Sequence, residues 1–162
     1  MSAAIRFVAV ALLLLLPRLA PVEAAEAGRA VAVVVAAQTG RALNMEGLAL
    51  VYRRKTRFWI DGAKIIPVNL SATNPLRQQF SRVVLGSSVE DLERFWDDMY
   101  FHGESPPYVL SSEEAVLRFV ARTPGAVGYV GYCNVDFRVK VVLVFTAVGR
   151  VGEDTARASC AR

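Results

Sequence analysis

Four residues able to do polar chemistry crowd into one short stretch: Ser71, Thr73, Asn74 and Arg77, gathered around Pro75. They bring two hydroxyls, an amide and a guanidinium. On residue type alone the group reads first as a helix start. Asn74 offers a capping oxygen, Pro75 suits the first helical position, and Arg77 falls in the first turn. Other candidates are weaker. His102 is the sole histidine and lies in a loop rich in glycine and proline, with no nucleophile beside it in sequence. Asp97 and Asp98 are neighbours, and neighbouring helical positions point about 100° apart, so they read as a solvated face rather than an acid–base pair. Trp59, Phe95, Trp96 and Phe101 could cage a ligand, yet their spacing fits core packing better. Asp61-Gly62 is a tight-turn dipeptide. No GxSxG, HExxH or phosphate-loop signature occurs, and two distant cysteines with one histidine cannot build a metal cluster. The sequence therefore predicts no catalytic residue, no metal site, no cofactor and no enzyme.

Elements must hold these groups in place, and the chain alternates strand-like and helix-like runs. Ala30–Ala37 is continuously apolar and rich in valine, the pattern of a strand covered on both faces. Asn44 offers an N-cap to a short helix through Tyr52, with Leu48, Val51 and Tyr52 at core spacing. Lys64–Asn69 reads as a strand that Pro67 confines to an edge or a strand end. From Pro75, the residues Leu76, Phe80, Val83 and Val84 recur at helical spacing until Gly86. Ser87-x-x-Glu90 and Ser111-x-x-Glu114 have capping-box form. The first precedes a stripe of Leu92, Phe95, Trp96 and Met99; the second precedes Val116, Phe119, Val120 and Thr123. Thr123-Pro124-Gly125 stops the last of these helices, and Val127–Val130 and Val139–Phe145 read as strands. Strands interleaved with helices predict an α/β sandwich with a mainly parallel sheet flanked by helices. From Gly149 the chain turns polar, and a frayed tail is expected.

The start of the 162-residue chain has the three zones of a secretory signal. Arg6 gives the positive end, Phe7–Leu16 the apolar stretch and Pro17 its break, with small residues suited to cleavage after Ala24 or Ala27. Ten apolar residues fall short of the roughly 20 that cross a bilayer as a helix. The expected organisation is a signal over residues 1–24, one α/β domain over 25–148 and a polar tail over 149–162. A net charge of +4 is too mild to argue for nucleic acid. The short basic run Arg53-Arg54-Lys55-Thr56-Arg57 fits a helix C-terminus, where the dipole favours cations. In an oxidising compartment Cys133 and Cys160 could pair, although Cys160 lies almost at the chain end; the sequence leaves the pairing open.

Between Val51 and Val130 a set of unusual phrases stands in fixed order. Phe58-Trp59-Ile60-Asp61-Gly62 precedes Pro67-Val68-Asn69. Ser71, Thr73, Arg77, Phe80 and Leu85-Gly86 punctuate the next segment. Then come Trp96, Phe101-His102-Gly103, Pro106-Pro107 and the closing Pro124-Gly125-Ala126-Val127-Gly128-Tyr129-Val130. Together these resemble the PBP-like domain of phosphate-type substrate-binding proteins of ABC transporters, over about half the chain. The resemblance implies a single periplasmic-binding-protein-like lobe of type II, exported to the periplasm. It also implies an oxyanion ligand such as phosphate, and an ABC permease or another periplasmic protein as partner. In such proteins a hydroxyl-rich loop feeds a helix N-terminus, whose free N–H groups and dipole favour an anion. The matching positions are Ser71, Thr73, Asn74 and Arg77. Two departures stand beside the likeness. Asn69–Pro75 lacks the glycines that let backbone approach an oxyanion closely, and the chain has about half the length of a two-lobed binding protein. A homodimer could supply the second lobe. The other reading is an interaction module that keeps the fold and has lost the ligand.

Overall fold

The valine run Val31–Ala36 (β1) is covered on both faces because it lies inside the sheet, hydrogen-bonded on either side. The computed structural model describes residues 29–38 and 42–160, so the secretory-signal reading falls outside the described residues. After β1 come α1 (Met45–Tyr52), β2 (Ile66–Leu70), α2 (Pro75–Leu85), α3 (Val89–Phe101) and β3 (Tyr108–Leu110). Then follow α4 (Glu113–Arg122), β4 (Ala126–Gly131), a 3-10 turn (Tyr132–Asn134), β5 (Val139–Thr146), β6 (Gly149–Arg150) and α5 (Glu153–Ser159).

The strands form one sheet in the order β3-β2-β4-β1-β5-β6. β2, β3, β4 and β5 run in one direction, as the mainly parallel α/β reading requires. The laterally parallel ladder is confined to β3-β2-β4, because β1 runs against both of its neighbours. Pro67 pairs with Val127 of β4, while β3 engages β2 only from Val68 onward. The missing N–H therefore sits at the start of an interior strand, where one side has no ladder to break.

Helix starts follow the expected chemistry, with two shifts. Asn44 accepts from Gly47 N–H at 2.8 Å and Asn74 from Leu76 N–H at 2.8 Å. The serine caps of α3 and α4 are Ser88 and Ser112, one residue beyond Ser87 and Ser111. Each accepts from a third-residue N–H, Asp91 and Ala115, at 3.1 Å. In α3 that register turns Val89, Leu92 and Trp96 inward and leaves Phe95 partly exposed; Phe101 is 86% exposed, so neither joins the core as their spacing suggested. Arg53 caps a helix C-terminus, but that of α2: its Nη2 donates to Leu85 O at 2.6 Å.

Two glycines of the closing phrase are dictated by close approach. Gly125 has φ +85°, and a Cβ there would lie 2.1 Å from Lys64 O. At Gly128 a Cβ would sit 2.6 Å from Val116 Cγ1, so α4 packs directly on β4. Gly125 O in turn accepts from Trp59 Nε1 at 3.0 Å and from Ile66 N–H at 3.1 Å. The phrases at 58–62 and 124–130 thus form one structural joint. The C-terminal end is ordered where composition suggested fraying. β6 extends β5, α5 buries Ala156 against Ala30 and Val144, and a disulfide joins Cys133 to Cys160.

Candidate anion-binding site

β2 runs directly into the loop that opens α2, so residues 71–77 lie at the carboxyl end of a parallel strand. Open α/β sheets offer their ligand crevices there. Asn74 is committed to capping α2 through its side-chain oxygen. Ser71 Oγ and Thr73 Oγ1 lie 3.3 Å apart and bond to one another, with Thr73 open to solvent. Arg77 stands in the first turn of α2, where most charged side chains reach solvent. It is only 7% exposed, and its Nη1 has no hydrogen-bond partner. A buried cation with an unmade hydrogen bond is expensive unless something completes it.

Beneath Arg77 lies a buried aromatic and polar network. Phe80 stacks on Tyr129 at 4.1 Å and lies 4.5 Å from Tyr52, ring centre to ring centre. Tyr129 OH accepts from Leu70 N–H at 3.3 Å and donates to Asn69 Oδ1 at 3.2 Å. Tyr52 OH donates to Val68 O at 2.8 Å. Burial pushes the Tyr129 phenol up to about 12, while the Arg77 guanidinium at its hydroxyl pulls the other way. Burial also raises Tyr52, which Tyr129 reinforces and Arg77 opposes. Both phenols therefore stay neutral at the floor of the site.

Arg77 borders a cavity of about 220 Å³, shared with Asn69, Glu93, Trp96, Asp97 and Pro107. The loop hydroxyls of Ser71 and Thr73 are not among its walls, so the four expected residues do not converge on one point. Glu93 and Asp97 border Arg77's cavity from α3, one helical turn apart, and both are exposed, as a solvated face for Asp97 implied. Asn69 and Glu93 line the cavity and Tyr129 bonds to Asn69 beside it, three residues that residue type alone does not single out. Asn69 and Tyr129 stand inside the recognised phrases, but only the fold brings them beside Arg77. His102 caps the C-terminus of α3 with Nδ1 2.9 Å from Asp98 O and is not among this cavity's walls.

The architecture is that of a periplasmic-binding-protein-like lobe. Its structural likeness is to an ABC-type phosphate transport receptor from Vibrio cholerae, with a TM-score of 0.58 and 21% identity over 71% of this chain and 46% of that one. A Clostridium perfringens protein crystallised with bound phosphate gives 0.58 and 18% over 71% and 45%. PstS from Borrelia burgdorferi gives 0.55 and 15% over 70% and 46%. The chain therefore spans less than half the length of these structures. No protein-family model matches the sequence, and no curated protein does.

Proposed function

We propose that this chain is an exported oxyanion-binding lobe, with phosphate as ligand, working in the manner of an ABC transporter receptor. The observation that carries the reading is Arg77: a buried guanidinium with one nitrogen unpartnered, bordering a cavity at the start of α2. An anion in that cavity would complete the guanidinium, with Ser71, Thr73 and the α2 N-terminus at the loop above. Glu93 and Asp97 can only accept hydrogen bonds when ionised, so they favour an oxyanion that carries a proton over one that carries none. Phosphate near neutral pH meets that condition and sulfate does not. The Cys133–Cys160 disulfide supports export to an oxidising compartment. A second lobe would come from another copy or from a permease partner.

A second reading, a periplasmic interaction module without ligand, draws support from the loop. Asn74 serves as a cap, the two hydroxyls satisfy one another, and no glycine opens the backbone. Calorimetric titration of the chain from Ala25 onward with phosphate at low salt separates the two. Saturable binding, weaker for sulfate and lost in Arg77→Ala, supports the receptor. Absence of heat up to millimolar phosphate favours the interaction module.

A further inference from the structure

The segment between α1 and β2 folds into a narrow turn that presents its apolar side chains outward. Phe58 bridges Lys64 in antiparallel fashion, Trp59 N–H donates to Ala63 O at 2.8 Å, and Gly62 N–H returns to Trp59 O at 2.9 Å. Trp59 is buried and anchored to Gly125 O, so the turn is fastened to the domain. Its tip is the reverse of a core. Ile60 is completely exposed and Phe58 is 60% exposed. Both border an apolar groove of about 530 Å³ whose other walls include Leu43, Val51 and Ile65.

Charge around the tip is one-sided. From Arg53 to Lys64 the chain carries Arg53, Arg54, Lys55, Arg57 and Lys64 against the single acid Asp61. Asp61 folds back to accept from Ala63 N–H at 3.0 Å, and Glu104 reaches across to pair with Arg57. Arg53 is held by Leu85 O, whereas Lys55 and Lys64 are exposed. Lys64 stands opposite Phe58 in the bridge, and Lys55 adjoins Thr56 on the groove wall.

We propose that this turn is a membrane-docking element, inserting Ile60 and Phe58 into an anionic lipid surface while Lys55 and Lys64 rest among the headgroups. A bilayer asks only for an apolar wedge beside cations. The occupant chosen by charge is therefore a negatively charged lipid face.

The test is flotation of the chain from Ala25 onward with vesicles of phosphatidylcholine containing phosphatidylglycerol, against vesicles of phosphatidylcholine alone. Binding should require phosphatidylglycerol and fall with added salt. Ile60→Asp should lower the partition by about tenfold or more, as expected for losing one fully buried large aliphatic side chain. Lys55→Ala and Lys64→Ala should each lower it about fivefold. Ile60 makes no core contact, so an unchanged thermal melt confirms that its variant is folded. No flotation at low salt overturns the proposal, as does binding that Ile60→Asp leaves intact. Self-association that Ile60→Asp abolishes, without vesicle binding, would assign the tip to a second copy instead.

Discussion

Arg77 and Arg138 show two ways for one fold to hold a guanidinium. Arg138 lies on the surface between α4 and β5, gripped by both carboxylate oxygens of Glu114 at 2.8 and 2.7 Å and by Asp136 at 2.5 to 3.0 Å. Its hydrogen-bonding demand is met within the chain, so it serves as a clamp. Arg77 is more deeply buried, has neutral phenols for company, and leaves Nη1 without a partner. That incomplete guanidinium is what the proposed anion site rests on. Saturation, rather than residue type, distinguishes the structural arginine from the candidate functional one.

The contrast is broken most severely by removing what holds Arg77's surroundings together. Phe80 is fully buried against Tyr129, Tyr52 and Phe145. Phe80→Ala should cost about 3–5 kcal/mol in urea unfolding and abolish phosphate binding with it. Arg77→Ala sharpens the contrast, because it removes the charge without removing the floor. Phosphate affinity should fall about 100-fold, the loss expected of a buried charged hydrogen bond. Arg77→Met should leave stability unchanged or higher, since an apolar side chain replaces an incompletely solvated cation. Strong destabilisation by Arg77→Met, with no effect of phosphate on wild-type melting, would make Arg77 structural and erase the distinction.

A milder probe is Tyr129→Phe, which leaves Asn69 Oδ1 and Leu70 N–H without the hydroxyl and should cost about 1–3 kcal/mol. It carries a pH signature. The folded phenol titrates at about 12, above its ordinary value of 10.0, so its stabilising effect is complete below pH 10 and is lost as pH rises toward 12. Tyr129→Phe should therefore be less stable than wild type at neutral pH and flatten the alkaline decline in thermal melts.

The elements with periodic apolar residues were legible in sequence, and the reason is physical. α1, α2 and α4 each bury one face and write it at a period of 3.6, while β1 is buried on both faces and shows as an unbroken apolar run. β3 was not legible: three residues with Tyr108 and Val109 exposed carry no alternation, and β3 exists because β2 offers it a parallel edge. α5 was hidden for a similar reason. Its order rests on one buried alanine and on a disulfide, and neither leaves a periodic trace. The site divided along the same line. Asn74 and Pro75 announced a helix start, but the burial of Arg77 depends on Tyr129, which is 52 residues away and joins it only through strand order. Each capping box offered two adjacent serines, and the observed register uses the second, in which Leu92 and Val116 are buried, even though in α4 it sets Ala115 rather than Glu114 at the third position.

The smallest effect belongs to Arg138, and its smallness is the point of the contrast. Hydrogen bonds from Arg138 hold the carboxyls of both Glu114 and Asp136 below their ordinary range. A depressed folded pKa stabilises above the unfolded value, near 4 for carboxylates, and that stability drains as pH falls through the folded values. The clamp should thus weaken only in acid, below about pH 4, and salt should blunt it because the partners are at the surface. Arg138→Gln should remove this acid dependence, lower the neutral-pH melting temperature slightly, and leave phosphate affinity within about twofold of wild type, as surface substitutions generally do. Thermal melts across an acid series, paired with one titration at neutral pH, read both quantities. A large loss of phosphate affinity in Arg138→Gln would mean that the clamped arginine also governs the site, and the division between completed and incomplete guanidinium groups would fail.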